Sequence, residues 1–581
     1  MTKFFFIYLK KILLEFFFIM RVLIALSNKK NFFILFFFLL FVVFLETFSL
    51  NIIYDVSRFS LNLSEDLRNK YFFFKYLDPS NESTLILGLI FFLTFLFLKN
   101  IIIIFVTIFK NKFIFNALKK TTLALHEKYI NQNYDFFIKK NSSELVSNIN
   151  NNINIMIRTY DSIYSIVMEI VLIFCFLFFL FLLNPYTTIY FILLISFLFI
   201  SYIFFSKKKI IILSNQRLTI NYLILKNLQQ SFSNFREMII YNCQKFFIAD
   251  LKDNLIKFTD NLRISNNLQQ LTRMFLEQAF IISIIILFLF YKIVKSNSSI
   301  SDFYVLLSIY AYAFIRILPS LNKLINETQS YLYNKLFVKK IYEDLYHLSP
   351  NSVNLSKNFT IKNLIEIKNL KFFFKKEKQT LFENVNININ VNEKIGLIGK
   401  SGEGKSTLLN IIMGLLKPSV GEILVDGENI NKNLLYWQSK IGYVSQSTFI
   451  LDDTLKVNIT FQHDPLLIDI NQLFYAIKFS GLETFVSNLS EGENTILGEK
   501  GSKISGGEIQ RIGLARALYK DPEIFILDEF TSFLDIKTEL DILQKISLIK
   551  KTFIIASHRR STFKDCVKIY ELNNKKINLL K

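Results

Sequence analysis

Cysteine is nearly missing: three in 581 residues, Cys175, Cys243 and Cys566, far apart and without CxxC or Cys/His ligand spacing. That pattern supports neither a zinc site nor a disulfide framework. Glycine (16) and proline (7) are also scarce, so little punctuates the chain and long helices are expected. Acidic residues are outnumbered, 47 against 68 Lys and Arg, for a net charge of +21. In a soluble protein such an excess points to nucleic acid. Here the hydrophobic content is 52% and the mean hydropathy +0.35, too apolar for ordinary soluble surfaces. The better account is a membrane protein whose basic residues crowd cytoplasmic loops. What the chain has in abundance is phenylalanine, 65 residues.

Apolar runs alternate with basic stretches up to about Leu345, and six of them are long enough to cross a bilayer, which takes roughly 20 helical residues. They lie near Asn31–Tyr54, Thr84–Ile108, Ser162–Leu183, Thr187–Phe205, Met274–Val294 and Phe303–Ile325. The segment before them, broken by Lys10, Lys11, Glu15 and Arg21, reads as an interfacial amphipathic helix, with a signal peptide as the rival and Met20 as an alternative start. The stretches after the second and fourth spans carry Lys110, Lys112, Lys119 and Lys120, and Lys207, Lys208 and Lys209, whereas "NPYT" between spans three and four has no charge. Both termini and both long loops are therefore expected in the cytoplasm, the loops as helical continuations of the spans.

The texture changes at residues 346–360, which read as a linker. Strands and helices then alternate as in an α/β domain over 361–581, and "NVNININV" has the strict alternation of a half-buried strand. In "GKSGEGKST" the spacing GxxxxGK[ST] falls on Gly399, Gly404, Lys405 and Ser406, between a strand-like and a helix-like run. Glycines let the backbone curl so that N–H groups face phosphate oxygens. Ser401, Gly402 and Thr407 complete the loop, Lys405 reaches the β- and γ-phosphates, and Ser406 ligates Mg²⁺. Downstream, "IFILDE" places Asp528 and Glu529 at the carboxyl end of a buried strand, where ligands bind in open α/β sheets. Asp528 suits the metal and Glu529 the attacking water; a helix cap is the plainer reading of this acidic pair. His558 ends another strand as a γ-phosphate sensor or a surface residue, and Gln446 ends a third as a ligand for Mg²⁺ or water.

These motifs, with "ISGGE" and "SFLD", stand in the order found in ATP-binding cassette (ABC) proteins, and the chain resembles that family over Ile361–Lys581. The resemblance implies that two such domains dock head to tail. Ser505, Gly506 and Gly507 would then face the nucleotide held by a partner's Lys405, with Asp535 linking the two sites. A homodimer, or a heterodimer with a paralogue, follows. Phe374 stands where an adenine-stacking aromatic is usual, Glu508 where Gln is usual, and Phe533 where Ala is usual. With Glu529 and His558 both present, a hydrolytically competent site using ATP and Mg²⁺ is expected.

The fold class implied is a multi-domain membrane protein: an all-α six-helix transmembrane domain over 1–345, then an α/β P-loop NTPase domain. This resembles the exporter architecture, set in an inner membrane with the ATPase in the cytoplasm. Coupling helices are expected near Tyr134–Lys140 and Phe235–Tyr241. Glu46, Glu169, Glu277 and Arg316 lie within or near spans and Arg273 opens one; intramembrane charges are costly and tend to be functional. Arg273 and Arg316 would suit an anionic head group, with snorkelling as the alternative for Arg273. "FLETF", "RMFLE", "RILPS" and "NYDFF" give the helical half a looser similarity to lipid-linked oligosaccharide flippases. The function implied is ATP-driven movement of a polyprenyl-pyrophosphate oligosaccharide to the outer leaflet; the alternative is an exporter of lipids, drugs or peptides.

Overall fold

The computed structural model describes residues 29–60, 82–183, 185–294, 300–348, 361–373, 380–400 and 402–581. It divides into two compact units, Met1–Gln132 with Lys139–Pro350, and Asn133–Ile138 with Asn351–Lys581. The segment before residue 29 lies outside the described residues, as does the stretch Ser64–Ser80, in which Leu67, Tyr71 and Phe74 are spaced as one helical stripe.

Among the described residues, the first unit is built on long helices. They are α1 (Lys29–Ser60), α2 (Glu82–Ile130), α3 (Tyr134–Lys139), α4 (Ser142–Ser147), α5 (Ile153–Leu183), α6 (Pro185–Ser233), α7 (Phe235–Ile240), α8 (Gln244–Val294) and α9 (Ile300–His347). Residue by residue α3 falls across the unit division, since 133–138 group with the second unit. Each of the six expected spans lies on one long helix. The near absence of Gly and Pro lets α2 run 49 residues, about 73 Å at 1.5 Å per residue and more than twice a bilayer core. Only Pro319 interrupts α9, which continues to His347, two residues into the expected linker. Leu39 and Val43 of α1, Phe176 and Leu180 of α5, Leu276 of α8 and Ile317 and Leu321 of α9 form a buried core. Phe33, Phe37, Phe97, Phe105, Phe174 and Phe197 point outward and are exposed. Outward apolar faces of this extent suit lipid, not water. Among the described residues, Phe92–Ile130 and Ser142–Leu182 are long and apolar enough to cross a membrane.

Among the described residues, the carboxylates within the expected spans are paired. Lys99 donates to Glu46 at 3.0 Å, and both side chains are nearly shielded from solvent. Lys323 stands 2.8 Å from the buried Glu169, and Arg273 2.7 Å from Glu277 one turn along the same helix. A buried charge stripped of its partner is strongly destabilising, which accounts for the pairing of the buried Glu46 and Glu169; the Arg273–Glu277 pair is exposed.

The second unit holds two sheets. A four-stranded antiparallel sheet runs in the order β2-β1-β4-β5, with β1 Leu364–Phe373, β2 Thr380–Asn390, β4 Val420–Val425 and β5 Glu428–Asn429. In β2 the alternation predicted from "NVNININV" is met: Val385, Ile387 and Ile389 are buried while the asparagines between them are exposed. The other sheet runs β10-β9-β3-β8-β7-β6, with β3 Lys394–Gly399, β6 Ile441–Val444, β7 Ile524–Asp528, β8 Thr552–Ala556, β9 Lys568–Asn573 and β10 Lys576–Leu579. Strands β9, β3, β8, β7 and β6 are parallel, and the central β7 and β8 are buried along their whole length, as strands covered on both faces are.

Candidate nucleotide-binding and catalytic site

Parallel pairing of β3, β8, β7 and β6 lines up four carboxyl ends, and the site grows from them. Strand β3 ends at Gly399, and helix α10 (Lys405–Ile412) starts six residues later with Gly404 as its cap. Gly402 and Gly404 have φ of +86° and +97°, a region open to glycine and strained for other residues. A side chain at Gly404 would also strike Leu381 and Phe382. Lys405 folds back over the loop: its Nζ donates to the carbonyls of Gly399 (2.7 Å) and Lys400 (3.2 Å). Burial lowers its pKa, opposed by Glu529, Asp528 and Glu403. Glu403 in turn accepts from the Lys400 amide at 2.8 Å, which fixes the mouth of the loop. Ser401 lies outside the described residues, as does Phe374.

Asp528 closes β7 and is nearly fully buried. Burial raises its pKa, partly offset by a hydrogen bond with Ser406. Its Oδ1 is buried without a hydrogen-bond partner. A buried carboxylate oxygen left unpaired beside a serine hydroxyl fits a hard cation, which prefers oxygen ligands. Ser406, Asp528 and Gln446 are the residues that would hold Mg²⁺ here; Thr407 follows Ser406 in the first turn of α10.

Glu529 takes φ of +46°, a strained value for a non-glycine residue, held by its amide donating to Ala556 O at 2.9 Å. The turn swings its carboxylate toward the neighbouring strand ends. Gln446 Nε2 donates to Glu529 Oε2 at 2.7 Å, and His558 Nε2 lies 2.7 Å from Oε1. Lys405 Nζ is 3.1 Å from the same His558 nitrogen and 4.0 Å from Glu529. Thus Lys405, Gln446, Glu529 and His558, spread over more than 150 residues of sequence, share one cluster.

The signature turn Ser505-Gly506-Gly507 is not part of that cluster. It begins helix α11 (Gly506–Tyr519) and is largely exposed. Ser505 Oγ accepts from the Glu508 amide, and Glu508 Oε2 accepts from the Ser505 amide at 2.7 Å, a complete capping box. A Cβ at Gly506 would sit 3.3 Å from the Phe533 ring, and one at Gly507 3.1 Å from the Phe533 carbonyl. Asp535 caps helix α12 (Ile536–Leu548) by accepting from the Thr538 amide at 3.0 Å, and these bonds lower its pKa.

Several supports escaped sequence reasoning. Gln510 donates to the Gln446 carbonyl at 2.7 Å and so joins the signature helix to the Gln446 loop. Glu539, almost wholly buried, receives Arg559 at 2.6 Å and Thr562 at 3.1 Å, while the Arg559 amide donates to Ser557; this brackets His558. "HRRST" carried the residues, but no local spacing ties them to Glu539, which reaches them only through the fold. In the helical unit Arg273 is exposed and bound to Glu277, whereas the Arg316 side chain lies outside the described residues. Helices α3 and α7 fall where coupling helices were expected, and neither has a buried residue.

Comparison with known proteins agrees with this geometry. Residues 382–532 match the ABC transporter family. Leukotoxin translocation ATP-binding proteins of Mannheimia haemolytica and Bibersteinia trehalosi are each 40% identical over 212 residues, 36% of this chain. That alignment spans only 30% of the relatives' length. A bacterial Atm1-family ABC exporter, solved with ATP bound, shares the fold with a TM-score of 0.81 over 94% of both chains at 18% identity. The chain thus carries an ABC transporter ATP-binding domain behind a helical unit, in the fold of an exporter-type half-transporter.

Proposed function

We propose that the chain hydrolyses ATP to drive export across the inner membrane, with its nucleotide-binding domain in the cytoplasm. The observation that carries this is the meeting of Lys405, Gln446, Glu529 and His558 at adjoining strand ends. Lys405 binds the terminal phosphates, the backbone of Gly399, Ser401, Gly402 and Gly404 cradles them, and Phe374 stacks on adenine. Mg²⁺ supplies neutralisation of phosphate charge. Glu529, held by Gln446 and His558, orients a water and takes up its proton, and His558 carries the positional signal of the γ-phosphate. Ser505, Gly506 and Gly507 cap the nucleotide of a second copy, with Asp535 between the sites, because the turn is exposed and apart from its own cluster. The homodimer is the simplest assembly that supplies both halves.

Glu529→Gln keeps the bond geometry with Gln446 but loses the base. It should bind ATP with unchanged affinity and turn over at least about 100-fold more slowly, the scale of one general base. Turnover near wild type in a steady-state ATPase assay would remove Glu529 from this role.

The proposed cargo is a polyprenyl-pyrophosphate oligosaccharide, moved from the cytoplasmic to the outer leaflet. What supports it is the texture of the helical half, with Arg273 and Arg316 offered to the pyrophosphate. Crossing hydrocarbon as a bare ion would cost tens of kcal/mol, so a cavity cation is needed. The second reading, export of lipids, drugs or peptides, is favoured by the similarity to leukotoxin translocation proteins. Arg316→Ala should cut glycolipid transport while basal ATP hydrolysis persists; unchanged transport would favour the second reading.

A further inference from the structure

At the nucleotide loop Lys405 serves the phosphates, Asp528 the cation and Glu529 the water, but a further carboxylate stands beside them without a task. Glu403 lies inside the loop itself, between Gly402 and Gly404, and is half-buried. One peptide unit sets its place. The Gly399 carbonyl accepts from Lys405 Nζ at 2.7 Å, and the Lys400 amide, on the other side of the same peptide, donates to Glu403 Oε2 at 2.8 Å. A peptide unit is planar and short, so the carboxylate and the ammonium stand no more than about 8 Å apart. The Glu403 amide also donates back to the Lys400 carbonyl at 3.4 Å, which closes the turn on itself. A Cβ at Gly399 would lie 2.8 Å from the same Oε2, so this carboxylate packs against the loop backbone. Its charge is felt at Lys405, whose pKa it helps to hold up against burial.

We infer that Glu403 sets the nucleotide affinity of the loop: its fixed negative charge weakens the hold on phosphate and speeds the release of ADP. This deepens the reading of the loop as a phosphate site and rests on it. Such a loop holds an anion with backbone N–H groups and a nearby cation. Glu403 works against both. It occupies one N–H of the loop, that of Lys400, and its charge repels the phosphates that Lys405 attracts. Product release limits many enzymes, and a repulsion built into the loop shortens the stay of ADP between turnovers. The same carboxylate braces the turn through the Lys400 amide, so the charge and the brace have to be separated by experiment.

The test uses the full chain in detergent with Mg²⁺ and a fluorescent ADP, read at equilibrium and by stopped flow. Glu403→Gln keeps the shape and can still accept from the Lys400 amide, but it carries no charge. It should bind ADP about fivefold more tightly and release it about fivefold more slowly, the worth of one like-charge pair about 8 Å apart at an effective dielectric constant of about 40. That gain should shrink as salt rises, and the affinity for adenosine, which carries no phosphate, should not change. Glu403→Ala loses charge and brace together, and thermal melts of both variants report whether the fold survives. ADP binding and release by Glu403→Gln equal to wild type, with only Glu403→Ala altered, would make Glu403 a structural brace and overturn the proposal. An equal gain for adenosine would overturn it as well. A wild-type chain that binds ADP no better than adenosine would overturn the phosphate-site reading itself, and this proposal with it.

Discussion

At Gly396 an added Cβ would lie 2.4 Å from the ring of the buried Phe563, so the ring or the strand would have to shift. Gly396→Ala is expected to destabilise the ATP-binding unit by about 1–3 kcal/mol, the cost of overpacking, measurable by denaturant melts. Glu144 sits between Lys140 and Lys340, 3.0 Å from each. Burial would raise its pKa, but hydrogen bonds from the two lysines outweigh that and lower it. A carboxylate with a depressed folded pKa contributes stability above its unfolded pKa, and that contribution is lost as pH falls through the folded value. Glu144→Gln should therefore lower the melting temperature at neutral pH and leave it unchanged once the carboxylate is protonated; an equal loss at both pH values contradicts the ion-pair account. Neither the clash nor the pair was legible in the sequence. Gly396 reads as one more strand residue, and Lys340 lies nearly 200 residues from Glu144.

Elements were far more legible than contacts. The P-loop, the acidic pair after β7 and the signature serine could be placed because each depends on local backbone chemistry: a glycine curl, a buried strand end, a helix cap. Helices α3 and α7 emerged where a short polar break separates two long apolar helices. The salt partners Lys99 and Lys323 did not, since a lysine inside an apolar run gives no sign of which helix will lie beside it. The signature helix offers its own test. Gln at position 508 can complete the same capping box, so Glu508→Gln should leave stability unchanged. Glu508→Ala should cost about 1 kcal/mol, the usual value of a lost cap, and slow ATP turnover as the Ser505 turn frays. Equal stability of the two variants in thermal melts would show that the box does not matter here.

Across the whole chain, composition alone separated an apolar helical half from an α/β half, because bilayer and water demand opposite surfaces. What composition could not give is a partner for the signature turn. The turn is exposed and stands outside the Lys405 cluster, so under the proposed function one copy supplies two half-sites for a second copy to complete. Everything proposed about its work, from hydrolysis to export, requires those halves to meet and the meeting to move a substrate.

The most direct test is translocation in sealed proteoliposomes. Vesicles carrying a polyprenyl-pyrophosphate oligosaccharide would be assayed for access of a membrane-impermeant glycan-modifying enzyme, with ATP, without ATP, and with Glu529→Gln. The account predicts that access changes only with ATP and only with Glu529 intact. Glycolipid that stays where it was loaded, in vesicles whose ATP hydrolysis is normal, would contradict the proposed cargo; movement that continues with Glu529→Gln would contradict ATP-driven export itself.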